Sequence, residues 1–294
     1  MTLRHGQAVL LMVLTTAMWS IAGVVSRQLQ QAQSFEVTFW RSFFTVLSLV
    51  VILPLWQGRG VWRRLPWRKA YFWVSGLCWS IMFTAFMLGM TLTGVANVLI
   101  TMALGPLLTA LLSRLVLGHK LPARTWSAIA AAGAGIVWMY GREMMAAEGD
   151  YIAGMLVALC VPMAAAVQWT AMQKAHSKGI DIDLVPSVLL GAVLSSLYTL
   201  LPAQPMQAST SDLMWLATLG LFQLAVPCVL AVMCARALKA PEMALLGLLE
   251  VIFGILLAWV GADEVPSASV LQGGTLVIGA LVFNEWLGWR QRRV

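Results

Sequence analysis

The sequence predicts an all-α integral membrane protein of about ten transmembrane helices, built as two inverted five-helix repeats with both termini cytoplasmic. Three observations carry that expectation. The 294 residues are 60% hydrophobic and only 11% charged, where a soluble domain has about a quarter charged residues. Apolar runs near the roughly 20 residues that cross a bilayer follow one another along the whole chain. Lysine and arginine fall in short loops on alternate sides of those runs, which sets orientation.

The first span covers 7–25, after Arg4 and His5. A basic start before an apolar run imitates a secretory signal, but further spans follow and no small-residue cleavage site appears, so it reads as retained. The second span, 35–56, begins after Gln33 and Ser34 and ends at a basic loop with Arg59, Arg63, Arg64, Arg68 and Lys69. The third covers 71–91, and the turn at Thr93 and Gly94 leads straight into the fourth, 95–117. The loop 118–124 reaches the fifth span, 125–140. The polar, mostly acidic stretch 142–150 divides the chain into two halves, 1–146 and 147–294.

In the second half the sixth span covers 152–172 and the seventh 184–201. A Pro/Ser/Thr-rich break at 202–211 precedes the eighth, 213–235. The ninth lies within 241–266 and the tenth covers 268–287. With the N-terminus inside, the inner loops and ends collect all the basic residues of the spans' borders except Arg27 and Arg142. Shifting the count by one helix mixes the two sets. The net charge of +7 is thus explained by membrane orientation, and no nucleic-acid partner is expected.

The two halves overlay with one offset, which pairs Ala96 with Ala240, Pro122 with Pro266 and Gly135 with Gly279. Five helices per half is an odd number, so the second half enters the membrane from the opposite side. An inverted repeat of this kind is the usual construction of secondary transporters, which handle substrate near the midplane between the halves.

One carboxylate, Glu250, lies near the middle of the ninth span. A charge at membrane depth is expensive and usually faces a protein interior or a watery path. At helical spacing Gly247, Glu250, Gly254 and Ala258 share a face, so the acid sits in a groove of small residues. It either belongs to a transport path or is a structural acid bonded to a neighbouring helix. Under the overlay Pro106, preceded by Gly105, falls opposite Glu250, where a Gly-Pro pair bends the helix and frees a carbonyl.

At this point the chain resembles the EamA-type members of the drug/metabolite transporter (DMT) superfamily. The resemblance rests on Trp19-Ser20 in the first span, Arg41 after Phe39-Trp40 in the second, Pro106 in the fourth and Glu250 in the ninth, followed by Gly254 where such relatives often have Pro. Asp263-Glu264 keeps a version of the acidic pair that ends such helices, while Gly118-His119-Lys120 departs from it. The resemblance implies export of amino acids, related metabolites or toxic small molecules across a bacterial inner membrane, with no cofactor.

Candidate substrate or coupling-ion residues are Glu250, Arg41, Trp19, Trp79, Gln168 and Gln223, with Pro106, Gly247 and Gly254 as kink and packing positions at a central cavity. Glu250 either titrates with a coupling proton or binds a cationic group. Arg41 either binds a substrate carboxylate, reaches the interface along its stem, or pairs with Glu36. Trp19 and Trp79 sit near mid-span and either pack or line an apolar pocket. Gln168 and Gln223 either bond across helices or reach into the cavity.

Several classes are set aside. Cys78, Cys160, Cys228 and Cys234 lie inside spans without a Cys-x-x-Cys pair, and His5, His119 and His176 are dispersed, so no metal site is expected. No catalytic cluster or nucleophile elbow argues for an enzyme, and no phosphate loop argues for ATP as the driving force. The alternative to a carrier is a passive channel for small apolar or amphipathic solutes. The sequence leaves the oligomeric state open.

Overall fold

The computed structural model describes residues 3–118, 149–261 and 268–291, with scattered positions and short runs between 123 and 138. Parts of the expected fifth span, the dividing stretch 142–148 and the pair Asp263-Glu264 lie outside the described residues. The elements run α1 (His5–Trp19), α2 (Ile21–Ser26), α3 (Ser34–Gln57), a 3₁₀ turn (Arg59–Arg64), α4 (Ala70–Leu92), α5 (Val95–Met102) and α6 (Gly105–Leu117). They continue with α7 (Gly149–Ser177), α8 (Pro186–Thr199), α9 (Thr210–Thr218), a π turn (Leu219–Ala225), α10 (Val226–Cys234), α11 (Ala240–Gly261) and α12 (Ala268–Gln291).

Among the described residues, 7 helical stretches are long and apolar enough to cross a membrane. Shorter apolar helices cover Pro186–Thr199 and Leu271–Ala280. The protein is therefore an all-helical, multi-pass membrane protein. The seventh expected span is the short one. Pro186 opens α8 at a position where a missing N–H costs nothing, and the helix ends at Thr199, three residues before Pro202.

Three spans that read as continuous in the sequence are interrupted, each for a local chemical reason. The first breaks between Trp19 and Ile21, where the hydroxyls of Thr15, Thr16 and Ser20 bond back to the carbonyls of Leu11, Val13 and Ala17. The fourth breaks between Met102 and Gly105, because Pro106 has no N–H for the Met102 carbonyl. The eighth widens into the π turn one turn before Pro227, which likewise cannot serve the carbonyl of Gln223.

Packing follows small residues and hydroxyls, as expected where lipid supplies no drive for helix association. α4 lies against α7 and α8, and α3 against α8 and the π turn. A Cβ on Gly191 would collide with Cβ of Trp79, so α8 meets α4 backbone to backbone. The same seam carries hydroxyl pairs, Ser75 with Ser187 at 2.6 Å and Thr84 with Ser195 at 2.8 Å, and Ser195 also meets Ser42 of α3 at 2.9 Å. α11 packs on α1, α2, α5, α6 and α7. Gly254 is one of its contact points, since a Cβ there would come within 2.6 Å of Leu99 of α5.

Polar contacts fix which helix ends share a side. His5 at the start of α1 lies 3.6 Å from Glu242 at the start of α11. Asp183, ahead of α8, joins Gln57 at the end of α3 and Arg236 just after α10. These mark the N-terminal end of the bundle. At the far end the start of α3 meets the segment ahead of α9 through Glu36 and Gln207.

Candidate functional site

The three interruptions converge on one cavity of about 110 Å³. Trp19 from the first break, Met102 and Gly105 from the second, and Gln223 from the π turn all line it. Backbone that leaves the helical ladder at membrane depth is tolerated where it is enclosed by protein or lines a cavity.

Arg41 enters from α3 and is fully buried. Its Nη1 donates to Oε1 of Gln223 at 3.1 Å, and its Nη2 donates to the Phe83 carbonyl of α4. The Phe86 ring lies 5.8 Å from the guanidinium carbon. Gln223 completes the relay by donating through Nε2 to the Trp19 carbonyl at 3.5 Å. A relay of this kind ties α3, α4, the π turn and the break in the first span to a single cation. The π turn can approach because position 220 is glycine: a Cβ there would sit 2.7 Å from Phe44 Cβ and 3.0 Å from the Arg41 carbonyl.

Two of the readings of Arg41 are corrected by this geometry. The side chain does not reach the interface, and it does not pair with Glu36. Glu36 is itself buried and its carboxylate is filled by the backbone N–H groups of Gln207 and Ala208 and by Trp40 Nε1. Those donors already stabilise the buried carboxylate, and no ion pair joins it to Arg41.

Glu250 enters from α11 and is 5% exposed, its exposed edge being the cavity wall. Among the described residues no group donates a hydrogen bond to it, and no cation lies within the 4.0 Å of an ion pair. Gly247, one turn earlier, also lines the cavity, with nothing within 4 Å of where its Cβ would be. The small residue leaves room in front of the acid.

The remaining walls are aromatic and sulfur-rich. Trp79 lines the cavity with Trp169 edge-on at 5.9 Å. The Trp79 Nε1, the Arg41 Nε and the Thr109 hydroxyl are buried without a partner among the described residues. Such atoms cost free energy unless a ligand or water meets them. The cavity thus offers unused donors beside Arg41 and an unused acceptor at Glu250.

Of the residues singled out from the sequence, Glu250, Arg41, Trp19, Trp79, Gln223 and Gly247 meet in this cavity. Gln168 does not line it: its Nε2 donates to Ser75 at 2.8 Å in the α4–α7 seam. Pro106 and Gly254 act from behind the wall, the one breaking the helix and the other packing it. Sequence reasoning passed over Trp169, Thr109, Cys228 and Pro227. Trp169 follows Gln168 by one residue, about 100° around the helix, and choosing the polar residue chose the wrong face. Pro227 carried a readable signal, a proline inside a span with a glutamine at i−4.

Comparison with known proteins agrees with this architecture. Residues 6–141 match the model of the EamA-like transporter family. One solved crystal structure superposes with a TM-score of 0.69 at 18% identity, covering 98% of this chain and 99% of that one. At that identity the likeness speaks for the fold alone. No curated protein matches the chain. The matched family is one of transporters and not of enzymes, and within this bundle of membrane-crossing helices residues 6–141 form an EamA-like transporter family domain, part of the DMT superfamily.

Proposed function

We propose that the chain is a secondary transporter that exports small organic metabolites such as amino acids across the bacterial inner membrane. The two five-helix halves, 1–146 and 147–294, rock against each other as inverted repeats, with both termini cytoplasmic. The family match, which ends at residue 141, lies close to the boundary between them. Glu250 carries the coupling proton, or meets the cationic group of the substrate.

The observation that supports this most is the carboxylate of Glu250, which no described residue hydrogen-bonds, in the same cavity as Arg41. A buried charge without a partner is strongly destabilising. In the empty cavity a proton meets that need, and in the loaded one a substrate ammonium does. Arg41 with its free Nε and Trp79 with its free Nε1 present donors suited to a carboxylate. A zwitterion satisfies both sites and keeps the charge in the cavity balanced, whereas a bare organic cation meets the guanidinium of Arg41. The aromatic walls suit an apolar side chain.

The test is solute counterflow in proteoliposomes, with neutral amino acids and organic cations, at two pH values, for wild type and Glu250→Gln. Saturable counterflow of a neutral amino acid is expected, with the mutant inactive or insensitive to pH. Unchanged rate and pH dependence in Glu250→Gln would remove the acid from the mechanism. A downhill leak without counterflow would replace the carrier by a passive channel.

A further inference from the structure

Two more buried carboxylates lie at the far end of the bundle, and neither belongs to the cavity. Glu36, in the first turn of α3, accepts from the backbone N–H groups of Gln207 at 2.9 Å and Ala208 at 2.8 Å. Asp212, in the first turn of α9, accepts from those of Gln30 at 2.9 Å, Gln31 at 3.1 Å and Ala32 at 3.2 Å. The arrangement is reciprocal. A carboxylate of the first half holds the segment ahead of α9, and a carboxylate of the second half holds the segment ahead of α3. Asp212 is fixed in turn by Ser209, whose hydroxyl accepts from the Asp212 N–H at 3.1 Å. Both side chains have almost no surface of their own in contact with solvent, and bonds to a charged acceptor are among the stronger hydrogen bonds.

The N-terminal end is held differently. Its ion pairs, Arg236 with Asp183 and His5 with Glu242, lie between side chains that are 40% exposed or more, where water and salt compete. The cavity lies between the two ends, lined by Trp19 at the far end of α1 and by Arg41, two turns into α3. From α11 it takes Met243 through Val251, from near the start to just past the middle of the helix, and from α5 only the last residue, Met102.

We propose that Glu36 and Asp212 are the far-end gate of the transport cycle: a paired clasp that seals this end while the cavity faces the other. The role rests on the carrier reading above. Opening the far end requires the five backbone N–H groups to leave their carboxylates, and because each half holds the other, neither loop is released alone. The exposed pairs at the opposite end exchange readily with water, so the protein at rest faces the side of its termini.

The test uses the full chain in proteoliposomes with the four cysteines replaced by alanine and Gly247→Cys as a reporter in the open part of the cavity. A membrane-impermeant maleimide is added from one side at a time. With the clasp intact, labelling proceeds from the side of the termini and is at least tenfold slower from the far side. Glu36→Gln and Asp212→Asn, which place an amide against the donors, raise the far-side rate about tenfold and lower the rate from the other side. Asp183→Asn, at the opposite end, does not raise far-side labelling. General loosening of the bundle would instead raise labelling from both sides, and that outcome, or an unchanged far-side rate, overturns the proposal.

Should the clasp variants not fold, joining Gln31→Cys to Gln207→Cys with a short bifunctional maleimide decides the matter. Both side chains are exposed. Cross-linked protein is expected to bind substrate from the side of the termini and to lose counterflow, and counterflow at the uncross-linked rate would overturn the gate. Labelling reads the gate without any substrate, so a protein that gates but does not carry remains distinguishable from one that does neither.

Discussion

The Nη1 of Arg41 donates to Oε1 of Gln223 at 3.1 Å, which joins α3 to the π turn between α9 and α10. Gln223 is therefore the residue that holds the guanidinium in place. Gln223→Leu removes the acceptor, leaves Nη1 buried and unpaired, and also releases the Trp19 carbonyl. Loss of a bond to a buried charge costs about 2–4 kcal/mol, so a lower thermal midpoint is expected together with at least a tenfold loss of counterflow. Gln223→Glu, which keeps an acceptor, is expected to recover the midpoint more than the activity, because it adds a second acid to the cavity.

Gly220 is the position at which the π turn touches α3. In Gly220→Ala the new Cβ meets Phe44, the Thr45 nitrogen and the Arg41 carbonyl, all within 3.0 Å. Two of those atoms are backbone and cannot step aside. Overpacking of this kind costs about 1–3 kcal/mol, and it pushes Arg41 away from Gln223. Both the thermal midpoint and transport are expected to fall, the latter through a raised KM.

Pro227 predicts the opposite sign on stability. Pro227→Ala returns an N–H to the Gln223 carbonyl and lets the π turn tighten into ordinary helix. A proline inside a helix costs about 3 kcal/mol, so part of that is regained and the midpoint rises. The tighter turn rotates Gln223 off Arg41, and counterflow falls. A variant that gains both stability and activity would show that the π turn has no part in transport.

Trp79 separates binding from folding. Its Nε1 has no partner among the described residues, so Trp79→Phe, which keeps an aromatic body there, leaves the midpoint within a few degrees. If the free N–H serves the substrate, the apparent KM rises about tenfold, the worth of one hydrogen bond. A KM unchanged within error would assign Trp79 to packing alone.

The parts of the site that were legible in the sequence are those that break a local rule. Glu250 is a carboxylate among apolar residues, Arg41 a guanidinium within a span, and Trp19 and Gln223 polar or amphipathic groups at membrane depth. Each stands out against its own neighbours, and each was found in the cavity. Pro106 was legible in the same way, and the break it makes in the fourth span follows from its missing N–H.

What was not legible depends on partners far along the chain. Glu36 and Asp212 sit near span ends, where a carboxylate is ordinarily solvated, and nothing nearby shows that a loop about 170–180 positions away would supply N–H groups. Gln168 and Trp169 are neighbours, and only the packing of α7 on α4 decides which of them turns toward the cavity. The halves of the first span looked like one helix, because hydroxyls that bond back to their own helix leave no trace in hydropathy.

The short helix α8 carries a consequence for the surrounding lipid. Its 14 residues rise about 21 Å, against a hydrocarbon core of about 30 Å. Leu197, Leu200 and Leu201 at its end are exposed, so acyl chains reach that rim and must shorten to match it. A bilayer thinned beside one helix pulls back toward its own thickness, at a fraction of a kcal/mol for each ångström of mismatch. Chain length of the host lipid thereby becomes a mechanical load on the α3–α4–α8 corner, the corner that holds Arg41.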